Sequence, residues 1–146
     1  MTETIDTPQP RVGCGAAIIR ENKILLVQRK RAPEAGAWGL PGGKIDWLEA
    51  IEDAVRRETL EELGIALGKL KLLCVMDYLD PVTPDHWVAP VYLATNFAGE
   101  PRLVEPDKHT AFGWFPLDQP PTPLTQATIC ALEALRGQEA SSSRPQ

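Results

Sequence analysis

Residues 49–63 constrain the chain most. They run without Gly or Pro, are rich in helix formers, and end at Gly64, where a C′ glycine would close a helix. At 100° per residue, Ile51, Ala54, Val55, Glu58 and Glu62 fall within roughly 100° of one another. Two carboxylates therefore continue the apolar stripe that faces the core. Glu61 lies beside them and Arg57 next to that edge, so three acids and one guanidinium crowd the inward side of the last two turns. Like charges one turn apart repel, and a carboxylate buried without a partner is costly, so the pattern invites a divalent cation. Oxygen-only ligands favour hard ions, Mg²⁺ first and Mn²⁺ second. The competing reading is a solvated, charge-rich helix end. Leu60 and Leu63, opposite Ile51, leave that reading less room, because they predict a helix covered on two sides.

Ahead of this helix, Pro41-Gly42-Gly43 lets backbone approach a phosphate or turns a carbonyl oxygen towards a metal; alone, such a turn reads equally well as a hinge. Residues 12–20 and 23–29, joined at Glu21-Asn22, read as a hairpin, and Trp38 to Gly43 as a short strand running into the glycine turn. Residues 70–79 and 87–97 read as longer antiparallel strands, residues 111–115 as a further strand, and residues 125–135 as a second helix through Ile129, Leu132 and Leu135. The order strands, helix, strands, helix implies an α+β or mixed α/β fold, with helices on both faces of a mixed sheet. One domain is expected over residues 11–137, flanked by loose polar tails at 1–10 and 138–146.

A net charge of -5 argues against a broad surface for polymeric nucleic acid, and an acidic protein with a polyanionic substrate needs cations. Cys14, Cys74 and Cys130 are widely separated and lack C-x-x-C spacing, so neither a zinc site nor a disulfide framework is indicated and reduced thiols are expected. No apolar run approaches the roughly 20 residues that span a bilayer, and the first residues lack the basic start and apolar stretch of a secretory signal. A cytoplasmic protein without a membrane partner is expected.

Taken together, Gly43, five residues, Glu49, seven residues, Arg57-Glu58, two residues, Glu61-Glu62, one residue, Gly64 and apolar Ile65 resemble the box of the nudix hydrolases at every fixed position. Trp38 to Gly42 resembles the flank that commonly precedes that box. The resemblance implies an α/β/α sandwich around a mixed sheet, and attack by water on phosphorus with the diphosphate held by Mg²⁺. Carried over by position, Glu58, Glu61 and Glu62 are metal ligands, with one of them a candidate to take the proton from water, and the Gly42 carbonyl is a further candidate ligand. Arg57 would orient a carboxylate, and Glu49 would support the site electrostatically. Thr59 departs from the bulky aliphatic residue usual at its position, which predicts slightly looser packing. The segment from His109 to Trp114 lacks the acid that many relatives carry just before it; Glu105 or Asp107 could substitute, or both are ordinary loop acids.

Candidate substrate contacts are Arg29 and Lys44 for phosphate, and Tyr78, Trp87 and Phe112 as stacking faces for a base. Exposed strand-end cations and core aromatics are the competing readings. His86 and His109 are open between ligand contacts and plain loop histidines. The short length and the loop 105–108 resemble small triphosphate-cleaving nudix proteins, so the expected activity is Mg²⁺-dependent hydrolysis of a nucleoside triphosphate or modified dNTP to monophosphate and pyrophosphate. ADP-ribose or nucleotide-sugar pyrophosphatase is one alternative and a catalytically silent nucleotide-binding module another. The expected partner is a small nucleotide, with a homodimer left open.

Overall fold

The computed structural model describes residues 7–142; residues 1–6 and 143–146, parts of the two expected tails, lie outside the described residues. Strands β1 (Arg11–Arg20) and β2 (Lys23–Arg29) form the expected hairpin, turning at Glu21 and Asn22 with left-handed φ values of 52° and 62°. Two successive left-handed residues give the turn whose twist matches that of the strands. Both strands are apolar over most of their length because both of their faces are covered. Cys14, Ala16, Ile18, Leu25 and Val27 pack with Ala54, Val55 and Leu63 of helix α1 (Ile51–Leu63). Ala17, Ile24 and Leu26 pack on the other side with Ala131 and Leu132 of helix α2 (Gln126–Ser142). The result is the expected α/β/α sandwich.

The remaining strands are β3 (Trp38–Gly39), β4 (Gly42–Lys44), β5 (Ala66–Leu67), β6 (Leu70–Asp80), β7 (Asp85–Ala94), β8 (Phe97–Ala98) and β9 (His109–Pro116). Seven of the nine form one mixed sheet in the order β3-β2-β1-β7-β6, with β4 on β1 and β9 on β2. β1 runs parallel to β7, and the other pairings are antiparallel. β2 pairs with β1 only at Ile19 and Arg20, whereas Gly13, Cys14 and Gly15 pair with β4. The hairpin strands therefore separate beyond their turn, and the glycine turn occupies the gap at the middle of the sheet. The segment 87–97 is not one strand as expected: β7 stops at Ala94, and β8 pairs with β5 in a separate two-stranded ribbon.

Helix α1 begins at Ile51 rather than at residue 49, because Leu48 takes a left-handed φ of 63° and Ala50 is extended. Its end is as expected, with Gly64 left-handed and its N–H donating to the Leu60 carbonyl. Two-sided cover is not observed: Leu63 is fully buried, but Leu60 is 54% and Ile51 40% exposed. The apolar stripe stays inward at Ala54 and Val55 and continues into Glu58 and Glu62. Helix α2 continues past residue 135 through residues assigned to the tail; the stretch from Arg136 to Ser142 contains no Pro, and a single interior Gly137 weakens a helix by only about 1 kcal/mol. No described helix is long and apolar enough to cross a membrane. Cys130 Sγ lies 3.1 Å from Cys74 Sγ, both as free thiols.

Thr59 is fully buried, and its hydroxyl donates to the Val55 carbonyl at 2.8 Å. That bond competes with the helix ladder rather than extending it. Thr59→Val should therefore leave stability within about 1 kcal/mol of wild type, read as the urea midpoint; a larger loss would assign the hydroxyl an essential packing role.

Candidate active site

The last two turns of α1 carry Glu58 and Glu62 inward because these residues continue the stripe of Ala54 and Val55. Glu62 is 3% exposed, and it accepts the Gly42 N–H, 3.3 Å from each carboxylate oxygen. Glu58 lies against Gly43, where a methyl group would stand 2.6 Å from Oε2. The glycine turn thus approaches two carboxylates along its backbone, an approach that no larger side chain permits at Gly43.

Arg57 organises the exposed side of this cluster. Its Nε and Nη2 donate to Glu49 at 2.7 and 2.9 Å, its Nη1 to Glu58 at 3.0 Å and Glu61 at 3.3 Å, and its Nη2 also to the Lys44 carbonyl at 3.1 Å. The paired bonds to Glu49 are the fork geometry that a guanidinium offers a carboxylate. Hydrogen bonding to Arg57, helped by the Asp46 amide, holds the Glu49 carboxyl down at about 2. Burial raises Glu58 above the usual carboxylate value, and Arg57 works against that rise.

Glu62 has no such partner. Burial first and the neighbouring Glu58 charge second push its pKa well above the ordinary value; the Gly42 amide offsets only part of this. The nearest basic group is His109 Nε2, 3.7 Å away, too long for a hydrogen bond. Burial and the Arg29 charge lower the His109 pKa, so this contact is not an ion pair at neutral pH.

The loop before β9 closes the cluster. Arg102 N–H donates to the Leu63 carbonyl and Val104 N–H to the Glu62 carbonyl, so the loop caps the end of α1 and brings Glu105 to its charged face. Glu105 Oε2 faces Lys108 Nζ at 3.4 Å, while its buried Oε1 has no hydrogen-bond partner among the described residues. Asp107, by contrast, is exposed.

Among the described residues no three acidic, histidine or cysteine side chains converge at metal-ligand spacing, because Glu58 and Glu61 turn to Arg57 instead. The donor chemistry nevertheless fits a hard divalent cation. The groups are all oxygen donors, the buried Glu62 lacks a cation, and Glu105 Oε1 lacks any partner. The structure thus brings Glu49, Arg57, Glu58, Glu61, Glu62 and the Gly42 turn together.

On the opposite side of the turn is a cavity of about 240 Å³, with Arg29, Gly42, Gly43 and Lys44 in its wall. Tyr78 and Trp87, directly paired across β6 and β7, also line it. Phe112 does not reach this cavity. Its side chain packs on the α1-facing core, because β9 alternates and Phe112 shares the face of Trp114. His86 is exposed and outside the cavity wall. One lining residue, Glu34, carried no signal in the sequence; it sits in a loop rich in Pro and Gly and takes a left-handed φ of 61°.

Comparison with known proteins agrees with this geometry. The NUDIX domain family matches residues 9–135. A crystal structure of a MutT NUDIX hydrolase from Burkholderia pseudomallei is 66% identical, covers 88% of this chain and 99% of its own, and superposes with a TM-score of 0.87. An ADP-ribose pyrophosphatase of Methanocaldococcus jannaschii is 34% identical over 70% of this chain and 61% of its own length. An oxidized purine nucleoside triphosphate hydrolase of Mus musculus is 31% identical over 71% of this chain and 65% of its own length. The chain thus spans less than two thirds of these two curated relatives. With the family match running from before β1 into α2, and the acidic helix seated on its glycine turn, the chain belongs to the NUDIX family.

Proposed function

We propose that the protein is a divalent-metal-dependent pyrophosphohydrolase of nucleoside triphosphates, including modified dNTPs, that releases nucleoside monophosphate and pyrophosphate. The observation that carries this reading is the buried Glu62 beside Glu58 and the Gly42 amide, with no cation of its own. Glu58, Glu61, Glu62 and the Gly42 carbonyl would hold Mg²⁺, or Mn²⁺ in its place. A bound ion of this kind neutralises phosphate charge and lowers the pKa of water. Arg57 holds Glu58 and Glu61 in place, and Glu49 fixes Arg57. One of the box carboxylates, or Glu105 through its unpartnered oxygen, accepts the proton as water attacks phosphorus. Arg29 and Lys44 line the cavity together with the glycine turn and would meet the phosphate chain of a nucleotide there, and Tyr78 with Trp87 offers the base an aromatic wall.

The substrate class of the mouse relative supports the triphosphate reading. The methanogen relative's name supports a second one, an ADP-ribose pyrophosphatase. Cytoplasmic location and a homodimer belong to the same proposal. A product-release screen across dNTPs, oxidised dGTP, ADP-ribose and sugar nucleotides, with Mg²⁺, Mn²⁺ and EDTA arms, tests it. Metal-dependent monophosphate and pyrophosphate from a triphosphate is the expected result; selective cleavage of ADP-ribose would install the second reading, and intact substrates throughout would leave a silent binding module.

Arg57→Ala removes the group that orients Glu58 and Glu61, and is expected to weaken Mg²⁺ activation about 10–100-fold, as is usual for residues that position metal ligands. An unchanged half-saturating Mg²⁺ concentration would show that the carboxylates hold their geometry without it.

A further inference from the structure

We propose that Glu34 reads the base, selecting a nucleobase that presents two adjacent N–H donors, the edge carried by guanine and its oxidised forms. This assignment rests on the reading that the cavity beside the glycine turn receives the base of a nucleotide. At about 240 Å³ the cavity lies below the ~300–1,000 Å³ usual for whole drug-sized ligands, which suits a base with its phosphates outside.

The loop between β2 and β3 is tied down on both sides. Arg29 N–H donates to Ala37 O and Gly36 N–H to Arg29 O, at 2.9 and 2.8 Å, and Arg29 Nε donates to Pro33 O at 2.7 Å. Held this way, Glu34 adopts a left-handed conformation that a residue with a Cβ rarely takes, and such conformations concentrate where a side chain must be aimed. Its Oε2 accepts the N–H of Gln126, the first residue of α2, at 2.9 Å. The helix end therefore fixes the carboxylate in place. Oε1 accepts no bond from the described residues, and no lysine or arginine among them pairs with Glu34. The carboxylate is thus held in place with one oxygen unused, at a cavity it shares with Tyr78, Trp87, Leu40, Met76 and Val91.

An ionised carboxylate only accepts hydrogen bonds. Guanine offers N1–H and the 2-amino group side by side, so both carboxylate oxygens can be served by one planar edge, the bidentate form of a charge-assisted pair. Hypoxanthine lacks the amino donor. Adenine turns the lone pair of N1 towards the carboxylate, and uracil and thymine flank their single N–H with two carbonyl oxygens. Oxidation at C8 leaves the guanine N1 and 2-amino donors in place, so Glu34 would accept guanine and 8-oxoguanine alike and reject other bases.

Binding of dGMP, dIMP and dAMP, followed by titration calorimetry in Mg²⁺, tests this without requiring turnover. Wild type is expected to bind dGMP at least about tenfold more tightly than dIMP or dAMP, the scale of one hydrogen bond to a charged group. Glu34→Gln keeps an acceptor for the Gln126 N–H but offers the base one acceptor fewer, and should bring the dGMP and dIMP affinities to within about threefold; Glu34→Ala, checked for folding by circular dichroism, should do the same. Equal affinities in wild type, or a preference that survives both substitutions, overturns the assignment. A guanine preference lost in Glu34→Gln supports it even if no triphosphate is cleaved, a result that would overturn only the pyrophosphohydrolase reading.

Discussion

Glu62→Gln is expected to lower turnover at least about 10³-fold and yet raise the melting temperature of the metal-free protein at neutral pH. Glu62 is buried without a cation, and its folded-state pKa stands well above the ordinary carboxylate value because of burial and the Glu58 charge. A carboxyl group whose pKa is raised by folding binds its proton more tightly in the native state. Metal-free stability is therefore favoured at low pH and declines as pH rises through the folded-state value. Gln keeps an acceptor for the Gly42 N–H and removes the ionisation. The gain should grow as pH rises above about 4.5 towards the folded-state pKa and shrink to almost nothing at 4.5 and below, as the unfolded carboxyl becomes protonated like the folded one. Melting curves in EDTA at pH 7.5 and 4.5 measure this. A Gln variant that melts lower than wild type at pH 7.5 would mean that Glu62 is held by a stabilising partner, contrary to the geometry. Glu49 has the opposite sign: held down at about 2 by Arg57, it contributes stability that is present above pH 4.5 and lost as pH falls towards 2.

Gly42→Ala should destabilise the fold by about 3 kcal/mol or more, enough to deplete soluble protein. Its φ is 155°, and an added methyl would overlap the Cys14 carbonyl oxygen and stand 2.7 Å from the Gly15 Cα. These are backbone atoms of β1, so relief requires β4 to leave the sheet and take its contact with Glu62 along. Gly43→Ala meets only the end of the Glu58 side chain, which can move. That variant should stay folded and lose activity through a displaced carboxylate. Urea midpoints of the two variants separate the cases; similar midpoints would show that the β1–β4 contact has more slack than its geometry implies.

Much of this was legible in the residues. The helical spacing of Ala54, Val55, Glu58 and Glu62 located the buried acids because a helix face is a local property. Glu21-Asn22 located the hairpin for the same reason. Pairings distant in the chain left no such trace. The parallel contact of β1 with β7 and the short β5–β8 ribbon depend on which strands meet, not on any one strand's pattern. Phe112 was misplaced because an aromatic residue in a strand signals burial without saying on which side, and here β9 turns it towards α1. Glu105 was visible only as one of two loop acids; the amide contacts that wrap its loop over the end of α1 single it out. Glu34 was invisible, since a loop glutamate acquires its role from a left-handed backbone and from the distant Gln126 amide.

The central claim is metal-dependent cleavage of a nucleoside triphosphate by the α1 carboxylates. Phosphorus NMR of oxidised dGTP incubated with the protein tests it most directly, comparing Mg²⁺ with EDTA and wild type with the Glu61→Gln, Glu62→Gln double variant. Pyrophosphate and monophosphate signals that appear only for wild type with Mg²⁺ are the predicted result. Equal turnover by the double variant, or turnover that persists in EDTA, would contradict it.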